Sequence, residues 1–77
     1  MPMFTFETAG FALQRQTTTA ELPDVPAARL EAVHTFGQAM RDDAAHLVRG
    51  DEVTMVVRDG EGRCVYVLTA TAACGDG

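Results

Sequence analysis

The chain has 77 residues, of which 47% are hydrophobic and 22% charged, and this composition indicates one small folded domain. Eleven acidic residues against six basic ones give a net charge of −5, which argues against a nucleic-acid groove, because phosphates require a positive field. The longest run of bulky apolar residues, 64–68, is far shorter than the roughly 20 residues of a membrane span. We therefore expect a cytoplasmic protein that binds neither nucleic acid nor a membrane.

The first predicted element is a β-hairpin over residues 3–16. Phe4, Phe6 and Thr8 alternate with more polar neighbours, as on a half-buried strand. A turn is expected at Ala9-Gly10, and residues 11–15 resume the alternation as the returning strand. The polar, Thr-rich segment 16–20 that follows is predicted to be a fraying strand end or a loop.

A long amphipathic helix is predicted next. Asp24 is a suitable N-cap, Pro26 fits the first turn, and Gly50 is the expected C-terminal glycine. The apolar positions recur every three or four residues and define the face expected to be buried: Val25, Ala28, Ala32, Val33, Phe36, Ala39, Met40, Ala44 and Leu47. Gly37 in mid-helix is interpreted as a tolerated glycine.

A second hairpin is predicted to complete the sheet, with strands at residues 53–58 and 64–69 joined by the turn Asp59-Gly60-Glu61-Gly62. With Gly62 in the left-handed conformation of a three-residue loop, Val57 is expected opposite Val65 and Met55 opposite Val67. The predicted fold is α+β, with order β-β-α-β-β: a four-stranded antiparallel sheet with one long helix packed on one face. We expect a single domain over residues 1–70 and a flexible tail over 71–77.

The fourth predicted strand is apolar on both faces, although one helix covers only one face of a sheet. Apolar patches exposed to water usually mark interaction surfaces. We therefore expect the uncovered face to be buried by a second copy or by a small protein partner, unless the N-terminal hairpin or the tail covers it. The residues assigned to this interaction surface are Val56, Cys64, Tyr66 and Leu68.

The sequence offers little for catalysis or metal binding, and it indicates a non-enzyme more than an enzyme. His34 and His46 lie about 120° apart around the predicted helix, at ~100° per residue, so they cannot share a metal within it. The absence of Ser excludes a Ser-His-Asp triad, and Cys64 in mid-strand is interpreted as a small core residue. We expect no metal and no cofactor.

Several motifs together resemble a family of small uncharacterised bacterial domains. The resemblance spans residues 2–69, and it rests on the Met1-Pro2 start before Phe4, the helix cap Glu21-Leu22-Pro23-Asp24, and the Asp59 to Gly62-Arg63 hairpin. It implies a shared fold and supplies no catalytic residue.

The functional interpretation is a non-enzymatic interaction or regulatory module that binds protein, as a homodimer or with a small partner. One alternative is an antitoxin-like protein whose acidic charge masks a basic toxin. Another is an enzyme similar to the oxalocrotonate tautomerase-like family, which the Met1-Pro2 start resembles and in which Pro2 would act as a general base.

Overall fold

Four strands and one helix make up the regular structure in a computed structural model of the chain, which describes residues 1–10, 16–42, 44 and 52–71. In chain order the elements are β1 (Met3–Gly10), β2 (Gln16–Glu21), α1 (Val25–Asp42), β3 (Val53–Arg58) and β4 (Cys64–Ala70). The strands form one antiparallel sheet in the order β2-β1-β3-β4. The predicted α+β fold with β-β-α-β-β order is therefore confirmed.

Strand β1 lies inside the sheet, between β2 and β3. Phe6 pairs with Thr18 on one side and with Val57 on the other, and Phe4 and Phe6 are both buried beneath the helix. The prediction of a loose end or a loop for residues 16–20 is wrong, because this segment forms β2 at the sheet edge. Its three consecutive threonines are β-branched and favour extended backbone. The predicted returning strand at 11–15 lies outside the described residues.

Helix α1 begins where the sequence predicts. The backbone amide of Ala27 donates to Asp24 Oδ1 at 2.9 Å, which is the expected N-cap hydrogen bond. Ala28, Ala32 and Phe36 are buried against the sheet, and the two alanines let the helix backbone approach the strands closely. The assignment of Val33 to the buried face is wrong, since its side chain is 49% exposed. The predicted C-terminal end of the helix at Gly50 lies outside the described residues.

The hydrophobic core is a single layer between α1 and the sheet. It is centred on β1 and β3, and α1 packs against β3, β4 and β1. No helix among the described residues is long and apolar enough to span a membrane. The buried side chains of the core are Phe4, Phe6, Ala28, Ala32, Phe36, Val53, Met55 and Val57.

The β3–β4 turn forms as predicted, but the register beyond it does not. Gly62 has a φ of 84°, and the amide of Asp59 donates to the carbonyl of Arg63 at 2.9 Å. Arg58 then pairs with Cys64, while Val57 pairs with Tyr66, so β4 contains one additional residue at a β-bulge. The predicted Val57–Val65 and Met55–Val67 pairs are therefore wrong. The observed pairs are Val57–Tyr66 and Met55–Leu68.

Candidate functional site

The one-residue shift at the bulge changes which side chains of β4 face the helix. A slip of one residue moves every side chain of a strand to the opposite face of the sheet. Tyr66 and Leu68 therefore lie on the helix side, where they pack against the core, and Val67 lies on the open side. The four residues assigned to one interaction surface do not share a face: Val56 is on the open side, and Cys64 is exposed beside the bulge.

The open face of the sheet is more polar than the sequence predicts. Val67, Val56, Glu7 and Thr17 form one row across the four strands, and only the two valines in this row are apolar. Arg58 lies in the next row on this face, toward the β3–β4 turn. Its Nε lies 3.3 Å from Glu7 Oε1, so this ion pair joins the two rows. The threonines on this face can keep their hydroxyls in water, and Met3 and Val67 are its exposed large apolar side chains.

The outer edge of β4 is the more apolar of the two sheet edges. No residue of Cys64–Ala70 carries a charge, and none is proline. The strand is apolar on both sides, because Val67 is 51% exposed on the open face while Tyr66 and Leu68 are half-buried on the helix face. The opposite edge, β2, has the polar sequence Gln-Thr-Thr-Thr-Ala-Glu. Of the two edges, only β4 therefore offers an apolar surface.

One flank of α1 lies beside this edge. The Arg29 guanidinium lies 5.5 Å from the centre of the Tyr66 ring, and its Nη2 donates to the carbonyl of Val65 at 3.4 Å. Val33 follows Arg29 by one helical turn and therefore lies on the same flank, with Leu30 beside it. Val33 and Leu30 are 49% and 61% exposed.

Arg29 therefore places the exposed apolar side chains of α1 on the same side of the molecule as β4. We call this set of side chains the β4 strip, defined by Leu30 and Val33 of α1 and by Tyr66, Val67 and Leu68 of β4. Arg29 is a charged residue next to the strip. The charged residues of the turn, Asp59, Glu61 and Arg63, precede β4. Leu30 is the residue from which the strip could have been predicted. It is apolar, yet it lies outside the predicted buried face of the helix.

A small polar cleft lies on the opposite flank of α1, over β1 and β2. Its volume is 150 Å³. The cleft could not be predicted from the sequence, because the cleft requires residues 16–21 to form strand β2. The polar side chains that line it are Thr8, Gln16, Thr18, Thr35, Gln38 and Asp42.

The candidate catalytic and metal-binding residues are dispersed. Pro2 is exposed, and its carbonyl accepts a hydrogen bond from the amide of Leu22 at 3.0 Å. His34 is exposed on α1, and His46 lies outside the described residues. In the parts of the chain that the structure describes, no three His, Cys, Asp or Glu side chains are grouped so that they could hold a metal. The tautomerase-like and antitoxin-like interpretations stay predictions.

Comparison with known protein families identifies the family of the chain. The family described as a domain of unknown function (DUF6894) matches residues 3–71. Comparison with the curated proteins and with the solved structures finds no match to the chain.

Proposed function

Given that the chain belongs to the DUF6894 family, we propose that it is a non-enzymatic protein-interaction module. Its binding site is the outer edge of β4, to which an extended segment of a partner chain adds as a fifth strand. The observation that carries this proposal is an uncharged, proline-free strand of seven residues at the sheet edge.

Exposed edge strands present unpaired backbone donors and acceptors that pair readily with another chain. Natural sheets protect such edges with charged side chains, proline or very short strands. Strand β4 has no charge and no proline within Cys64–Ala70, and its β-bulge lies at the turn end of the strand. In strand addition, backbone hydrogen bonds provide affinity and alternate side chains provide specificity. The outer edge of β4 offers the backbone groups, and the β4 strip places apolar side chains on both faces of that edge.

The proposal is tested with a model strand. The probe is a fluorescein-labelled peptide of about ten alternating Val and Thr residues with an Arg at each end, which matches a typical strand length. Fluorescence anisotropy measures its binding to the wild type and to Val67→Lys, which places on the edge the charge that natural sheets use to block pairing. We expect Val67→Lys to bind at least about tenfold more weakly, a difference of about 1.4 kcal/mol.

The matched control is Thr17→Lys. Thr17 occupies the other end of the cross-strand row that contains Val67, on the same face but at the β2 edge. Thr17→Lys adds the same charge to the same face as Val67→Lys but at the other edge, so this variant should bind the peptide like the wild type. A peptide with N-methylated backbone amides should not bind, because it lacks the donors. Equal binding by all three proteins, or weaker binding by Thr17→Lys alone, would contradict the proposal.

A further inference from the structure

We infer that the added strand is β4 of a second copy of this chain, paired antiparallel around a two-fold axis at Val67. This inference rests on the proposed function, since it names the occupant of the same edge. The result is a homodimer with one continuous sheet of eight strands and both helices on the same side of it.

The position of the axis follows from the length and composition of β4. Val67 is the fourth of the seven residues in Cys64–Ala70, so an axis there centres the strand on its copy and leaves the β-bulge at the outer end of the pairing. Val67 then lies opposite Val67 of the second copy, and Tyr66 lies opposite Leu68 of the second copy. Directly opposite residues share a face, and like charges at such positions are destabilising. Since β4 carries no charge, self-pairing creates no such repulsion.

The spacing of the helices fits the same arrangement. Helix α1 packs mainly over β3 and β4, and neighbouring strands lie about 4.8 Å apart. With the two-fold axis half a strand spacing outside β4, the axes of the two helices lie about 10–14 Å apart, so the same flank of each helix faces the other across the axis. The flank of α1 that faces the second copy carries Arg29, Leu30 and Val33. Gly37, one turn beyond Val33, leaves open space around its Cα within the chain.

The helix flank also decides between a second copy and an unrelated extended peptide. An added peptide strand satisfies the edge of β4, but it leaves the exposed side chains of Leu30 and Val33 in water. A second copy brings its own helix across the axis and covers both residues. The surface is therefore self-complementary, as a two-fold symmetric interface requires.

The test measures the mass of the particle by sedimentation velocity across a range of protein concentrations. We expect the wild type and Thr17→Lys to form dimers. Val67→Lys and Val67→Glu should each be monomeric, because the axis places two like charges directly opposite each other. An equimolar mixture of these two variants should regain the dimer as a heterodimer, which also shows that both variants are folded. Thr17→Glu is the charge-matched control for Val67→Glu.

The remaining outcomes separate this inference from the proposed function. A wild type that stays monomeric but binds the Val/Thr peptide at β4 overturns the second copy and supports strand addition. A monomer that does not bind the peptide overturns both. A dimer that is insensitive to both Val67 substitutions, or a mixture that stays monomeric, overturns the axis at Val67. Excess peptide should lower the dimer fraction of the wild type, since the two compete for one edge.

Discussion

Asp59 fixes the β3–β4 turn through three hydrogen bonds. Its Oδ1 accepts from the backbone amides of Glu61 and Arg63, both at 2.9 Å, and its Oδ2 accepts from Arg63 Nε at 3.2 Å. The backbone amide of Arg63 is the largest cause that lowers the pKa of the Asp59 carboxyl, with further contributions from the Glu61 amide and the Arg63 charge. The turn closes only because Gly62 adopts a left-handed conformation.

The first prediction at the residue scale concerns the two glycines of this turn. Gly62→Ala should lower the free energy of unfolding by about 1–2 kcal/mol, because an L-residue pays that cost at positive φ. Gly60→Ala is the matched control, since Gly60 lacks a positive φ and a Cβ there would meet only the carbonyl of Met3 at 3.6 Å. It should be neutral or slightly stabilising. Urea denaturation measures both variants, and an equal loss in the two would contradict the assigned turn geometry.

At the scale of elements, features set by neighbouring residues could be predicted from the sequence, whereas the register between two strands could not. The start of α1 was predictable because the N-cap is a local contact. The Asp24 side chain accepts a hydrogen bond from an amide only three residues further along the chain. The β3–β4 turn was predictable for the same reason. The register of β4 was not, because the bulge adds one residue and nothing in the alternation of Cys64–Ala70 marks it. That single residue places Tyr66 and Leu68 on the helix side. The four residues of the predicted interaction surface therefore do not share a face.

The observed register leads to a second prediction, on neighbouring residues of β4. Leu68→Thr should lower the free energy of unfolding by about 2 kcal/mol, since the side chain packs against the core beneath α1. Val67→Thr keeps a β-branched residue on the open face and should cost about 0.5 kcal/mol or less. Urea denaturation at protein concentrations below the onset of self-association makes the comparison. A larger loss for Val67→Thr would favour the register predicted from the sequence.

For the molecule as a whole, exposed apolar side chains lie along the β4 edge and the neighbouring flank of α1, while Met3 and Val67 are exposed on the open face. One helix and one sheet bury a single core layer, and the threonines of the open face tolerate water without further cover. What lacks cover is the edge of β4 together with the exposed flank of α1, which carries Leu30 and Val33. The companion chain expected from the sequence stays a prediction, and the observed register places Tyr66 and Leu68 on the helix side of the sheet.

Net charge gives the last prediction, at the scale of the whole molecule. Each chain carries a net charge of −5, so two copies repel each other, while the proposed interface itself is mainly apolar. Raising NaCl from about 20 mM to about 500 mM shortens the Debye length from tens of Å to a few Å and should tighten the wild-type dimer by about threefold to tenfold. The Val67→Lys and Val67→Glu heterodimer should gain less, because salt also screens the attraction between the two introduced charges. Sedimentation at both salt concentrations makes the measurement. A wild-type dimer that weakens in high salt would mean that ion pairs, and not the β4 strip, hold the two copies together.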